Sequence, residues 1–144
     1  MKPASPELDA LWASGVFVYA DCFEITLRDG QSTLLRLTDH DQDLSLAAET
    51  YAHAMIKGAR LRVVRGLEVD EQTVEWTPPA DYTLRGRPVR ELVRKGLFDR
   101  GWIVQRRAFA PDWSSPVTGW ITIFDGEITD ASYLGLPITF NVSS

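Results

Sequence analysis

The residues of this chain best suited to chemistry stand in one run, Thr38-Asp39-His40-Asp41-Gln42-Asp43, which sets an imidazole among three carboxylates. Imidazole and carboxylate together suit zinc, manganese or non-haem iron, and an aspartate beside a histidine can poise a general base. Adjacent loop residues rarely point at one ion, and His53 is the only other histidine. Aspartates in loops usually cap backbone N–H groups, and a histidine there more often bonds a backbone carbonyl. The expectation is therefore a structural motif of Thr38, Asp39, His40, Asp41 and Asp43, with His40 holding the loop through hydrogen bonds. The competing reading is a metal-dependent enzyme built on Asp39, His40, Asp41 and Asp43.

Other nucleophiles carry less. Cys22 is the single cysteine, so no intrachain disulfide and no cysteine-based zinc or iron–sulfur site can form within the chain. It falls mid-strand, where a cysteine behaves as a small hydrophobe. The chain has no G-x-S-x-G elbow and no Walker or Rossmann glycine pattern. No catalytic residue, cofactor or metal is expected, and the chain reads as non-enzymatic.

Fifteen basic residues are scattered among 20 acidic ones for a net charge of −5, which is no footprint for a phosphate backbone. The densest basic stretch, Arg85, Arg87, Arg90, Arg94 and Lys95, has acidic flanks and no aromatic platform, and reads as the solvated side of a short helix. Neither nucleic acid nor membrane is an expected partner, since no apolar run approaches the ~18 residues of a span. The N-terminus lacks the charged-then-apolar order of a signal peptide, so synthesis in the cytoplasm is expected.

The elements that must position these residues are mostly strands. Ser5-Pro6 makes a helix start, and Leu8, Leu11 and Trp12 recur at helical spacing until Gly15. Beyond it Phe23, Ile25 and Leu27 alternate with Glu24, Thr26 and Arg28, a half-buried strand. Asp29-Gly30 predicts a hairpin turn, with Thr33 to Leu37 returning. Short strands are expected at Leu44–Leu46, Thr50–His53, Arg60–Arg65 and Thr73–Trp76. Pro88 opens a second, peripheral helix that Gly96 ends. Trp102 to Phe109 reads as a strand, and Val117–Phe124 with Glu127–Tyr133 as a second hairpin about Asp125-Gly126. The fold class is mainly β, an antiparallel β barrel or sandwich with two short helices, in one domain spanning residues 1–144.

Trp102 and Trp120 lie within strand patterns and read as core filler. Trp113 stands in a Pro-flanked, Ser-rich loop, as an anchor on a neighbouring surface or a plug into the core. Ile138, Phe140 and Val142 alternate like a strand that either closes this chain's own sheet or completes a neighbour's edge. Trp113, Ile138 and Phe140 are the candidate interface residues.

The order of these pieces resembles a known family. An N-terminal helix, a Cys-containing strand, a hairpin and then Leu37-Thr38-Asp39-His40-Asp41-Gln42-Asp43-Leu44 resemble the hub proteins of tailed-phage and gene-transfer-agent tail tips, whose N-terminal region carries F-T-D-H-D-x-D-L. Leu67-Glu68-Val69-Asp70, the segment from Glu91-Leu92 to Gly96-Leu97-Phe98-Asp99, the Trp113 loop and Ile123-Phe124-Asp125-Gly126-Glu127-Ile128 resemble further phrases of that family in order. The likeness spans about residues 7 to 130, and extends more distantly to the minor tail protein L of lambdoid phages.

The resemblance implies a structural component of a phage tail tip or baseplate. Its partners would be a distal tail protein, a central hub or fibre protein and the tape measure. It would form a homo-oligomer, trimer or hexamer, about the tail axis, located in the virion after assembly in the bacterial host cytoplasm. A distal-tail-ring-like adaptor and a monomeric ligand-binding β-barrel are the other readings. Longer members continue into a C-terminal region with an iron–sulfur cluster; with one cysteine, cluster binding is not carried over to this chain.

Overall fold

The structure, a computed structural model, describes residues 5–28, 33–58 and 71–143. The expected turn at Asp29-Gly30, the strand over Arg60–Arg65 and the Leu67–Asp70 segment lie outside the described residues. The chain opens with helix α1 (Pro6–Ser14), where the Ser5 hydroxyl accepts from Leu8 N at 3.2 Å. Gly15 closes it at φ 73°, a left-handed conformation that a residue without Cβ adopts freely.

Strands follow as β1 (Val18–Thr26), β2 (Leu34–Thr38), β3 (Leu44–Leu46), β4 (Glu49–His53), β5 (Ile56–Gly58), β6 (Glu71–Trp76), β7 (Thr83–Leu84) and β8 (Arg87–Pro88). Helix α2 (Val89–Arg94) precedes β9 (Trp102–Ala110), β10 (Gly119–Tyr133) and β11 (Ile138–Ser143). Nine of these strands form one mixed sheet in the order β3-β4-β2-β1-β9-β10-β11-β6-β5, and β7 pairs with β8 apart from it. All neighbours are antiparallel except β2 with β4. The sheet is open rather than a closed barrel, and its fit is to the sandwich-like form of a mainly β fold. β4, which lies between β2 and the terminal strand β3, and β5, the terminal strand of the other side, are joined through Ala54 and Met55, with Ala54 N donating to Thr38 O at 2.9 Å and Thr77 N to Met55 O at 2.8 Å.

The alternation of β1 holds as expected: Phe23, Ile25 and Leu27 enter the main core with Ile103, Val74, Trp76, Phe98 and Phe140. β1 and β2 pair from Thr26 opposite Leu34 to Cys22 opposite Thr38, so both strands of the first hairpin are present. A second cluster lies on the opposite face of β1 and β9, where Ala20, Cys22 and Ala108 meet Leu44, Leu46 and Tyr51 of β3 and β4. Helix α1 lays Leu8 and Leu11 against Phe109. Among the described residues no helix is long and apolar enough to cross a membrane.

Four expectations are corrected. The second hairpin is one continuous 15-residue strand, β10, whose first part pairs with β9 and whose last part pairs with β11. Gly126 serves close approach there, not a turn: a Cβ would stand 2.5 Å from the Ser143 carbonyl oxygen. The second helix is not peripheral, because Val89, Leu92 and Val93 are buried in the main core. Trp102 is 43% exposed at the start of β9 and fills no core. Ile138 and Phe140 are fully buried, with β11 laddered between β10 and β6, so they complete this chain's own sheet and present nothing to a neighbour.

Candidate functional site

The loop after β2 is held by its polar side chains. The Asp39 carboxylate accepts from Asp21 N at 2.8 Å, while Asp39 N donates back to Asp21 O at 3.1 Å. Thr38 Oγ1 donates to the same Asp21 carbonyl at 2.9 Å and accepts from His40 N at 3.3 Å. At the far end of the loop, Asp43 Oδ1 accepts from His53 N at 2.9 Å and ties the loop to β4. The backbone N–H groups of Asp21, His40 and His53 thus each donate to a side-chain oxygen of this loop.

His40 has a second contact beside the polar one expected of its ring. Its imidazole packs on the Trp113 indole, with centroids 4.3 Å apart and planes inclined by 41°, while Nδ1 lies 3.4 Å from Asp41 Oδ1. The Trp113 loop is held in turn by Asp112, whose Oδ1 accepts from Ser114 N at 2.9 Å, Ser114 Oγ at 2.6 Å and Ser115 Oγ at 3.0 Å. The hydroxyls of Ser114 and Ser115 hold the Asp112 carboxyl below its ordinary range. Thus the two loops that the sequence singles out meet, ring against ring.

Asp21 ties this corner to the sheet. Its carboxylate accepts from Arg107 Nε at 2.8 Å and Nη2 at 3.2 Å, and from Gln105 Nε2 at 3.1 Å. Gln105 in turn accepts from Gln72 Nε2. The Arg107 guanidinium also stands 4.7 Å from the Tyr19 ring centre. Sequence reading passed over Asp21, Gln105 and Arg107. Their signal was nonetheless present: Asp21 has the same strand parity as Phe23, Ile25 and Leu27, so a charge falls on the core-facing side and requires a partner.

Beside this corner runs a cleft of about 730 Å³. Asp39, His40, Asp41 and His53 line one part of it; Met55, Trp76, Pro79, Tyr82 and Leu136 line another. Trp76 and Tyr82 meet edge to face at 5.4 Å. Arg90 braces the wall by donating to Leu136 O at 3.0 and 2.7 Å and to Pro78 O at 2.9 Å.

Chemically the corner is suited to holding loops. Among the described residues no group of three or more His, Cys, Asp or Glu side chains gathers to hold a metal ion. The carboxylates of Asp39 and Asp43, half of the set proposed for a metal enzyme, are engaged by backbone N–H groups. Cys22 is buried, and desolvation first of all raises its thiol to about 11, the opposite of an activated nucleophile.

The family described as baseplate hub protein, N-terminal attachment domain, matches residues 5–144, and the chain belongs to it. This membership assigns the chain a structural role in a phage tail baseplate. Among solved structures, a chain from the virion of a native gene transfer agent (GTA) particle is similar in fold, with a TM-score of 0.63 at 17% identity. The match covers 97% of this chain and 44% of that one, so this chain spans less than half the length of that relative. No curated protein matches the sequence.

Proposed function

We propose that residues 1–144 work as one non-enzymatic attachment domain that fixes a hub to the tail. It joins the tail tube or distal tail ring to central spike or fibre proteins, with the tape measure nearby. Copies assemble as a trimer or hexamer about the tail axis, since closed rings satisfy every subunit interface. The domain is made in the bacterial host cytoplasm and ends at the tail tip. One observation supports this reading beyond family membership: three of the four residues that could have done chemistry are engaged in anchoring loops, with Asp39 and Asp43 on backbone N–H groups and His40 on Trp113.

The test is removal of the gene from a particle-producing host, followed by electron microscopy and mass spectrometry of the particles. Tails lacking their baseplate, with the chain restored to the tip on complementation, are the expected result. Normal baseplates in the deletion strain would overturn the proposal.

A further inference from the structure

Three surfaces compete as contact sites. An aromatic patch of Val16, Phe17 and Tyr19 beside α1 is exposed, and a hairpin tip carries Leu134 and Leu136. Neither has anything near it that specifies its occupant. The cleft beside the Asp39 loop differs, because it combines apolar walls with charge of one sign.

Of the described residues lining that cleft, the acidic ones are Asp39 and Asp41, and no lysine or arginine is among them. Met55 is 74% exposed at its rim, and Asp41 is 86% exposed in its side chain. Arg90, which braces the wall, is engaged by the carbonyls of Pro78 and Leu136, and Arg107, whose charge reaches Asp39, is engaged by the Asp21 carboxylate. An apolar group entering the cleft would cover Met55 and Leu136 and meet the partly buried Tyr82. A cation flanking that group would meet Asp41 at the rim and the field of Asp39 further in. An anionic segment would meet like charge, which discriminates against it.

We propose that this cleft receives a segment of another baseplate protein that presents an apolar side chain flanked by lysine or arginine. The inference rests on the attachment role proposed above and names the surface that performs it. The Asp39–Asp41 loop is then both a fold element and the acidic wall of a docking groove. Burial holds the Asp39 carboxyl above its ordinary range, so a partner cation that pairs with it stabilises a charge already partly desolvated.

The experiment replaces Met55 with the photo-cross-linking residue p-benzoylphenylalanine in the full chain, within particles assembled in the host, and identifies the cross-linked peptide by mass spectrometry. A peptide from a different tail protein, with Lys or Arg within a few residues of the apolar contact, is expected. Cross-links to a second copy of this chain, to an acidic segment, or to nothing would each overturn the proposal. Asp41→Lys provides the second arm, with Leu134→Lys as a control on the hairpin tip. Asp41→Lys should lower incorporation about tenfold relative to the control while the isolated chain melts as the unsubstituted one does. Equal incorporation of the two overturns the inference. Absence of the unsubstituted chain from particles would instead defeat the attachment role, so the two failures are distinguishable.

Discussion

The His40 imidazole rests on the Trp113 indole at 4.3 Å, joining the loop after β2 to the loop between β9 and β10. Each loop is built by its own side-chain caps, Asp39 and Asp43 in one and Asp112 in the other. The ring contact is what couples them. In a double-mutant cycle of His40→Ala and Trp113→Ala, followed by denaturant unfolding, the coupling should be about 0.5–1.5 kcal/mol, as for packed aromatic pairs. Strict additivity of the two substitutions would show that the rings touch without contributing.

Asp39 gives a pH dependence whose sign is opposite to that of an ordinary paired carboxylate. Burial, the largest influence, raises its carboxyl above the usual 3.8; the Asp21 N–H bond opposes this, Asp21 charge adds to it, and Arg107 and His40 oppose it. The folded chain therefore holds this proton more tightly than the unfolded chain. The contribution of Asp39 is greatest below the unfolded value and declines as pH rises through the folded one. Melting curves of the natural chain and Asp39→Asn should show Asp39 less favourable, relative to Asn, at about pH 7 than at about pH 4. A difference that grows with pH would contradict the assignment.

Cys22 should be chemically silent in the folded chain. It is buried between β1, β3 and β4, its thiol is raised to about 11 by burial, and its Sγ lies 3.8 Å from Thr38 Oγ1. Alkylation by iodoacetamide at about pH 8 should proceed only with unfolding, so its rate should follow denaturant concentration. Rapid labelling of the native chain would mean that the β3–β4 cover opens freely.

Gly126→Ala should destabilise by about 1–3 kcal/mol, the scale of overpacking a closed site. The added Cβ would meet Ser143 O at 2.5 Å and Ser143 C at 2.8 Å, backbone atoms that cannot move aside like a side-chain end. The loss should appear as a lower melting midpoint. An unchanged midpoint would show that β10 and β11 separate at this register without cost.

How much of this was legible in the sequence depends on whether the signal was local. The alternation of Phe23, Ile25 and Leu27, the Ser5 cap and the Gly15 stop act over a few residues and were readable. Asp125-Gly126 carries the same two residue types as a tight turn, but its setting is decided by β9 and β11 on either side, which local chemistry does not report. Ile138 and Phe140 show the same limit, because alternation says that one face is buried and not which chain buries it. At the site, the Thr38 hydroxyl accepting from His40 N is local turn chemistry, whereas Asp39 and Asp43 cap the backbone of Asp21 and His53, on other strands, which a local reading does not report. The Asp21–Arg107 pair and the His40–Trp113 contact join residues far apart in the chain and needed the sheet to bring them together.

The most direct test of the central claim, that this chain is a structural part of the baseplate, is cryo-electron microscopy of intact particles. The account predicts density at the tail tip that accommodates the nine-stranded sheet, with the Asp39 cleft covered by a neighbouring tail protein. Finding this domain in the capsid, or finding a complete baseplate without it, would contradict the account.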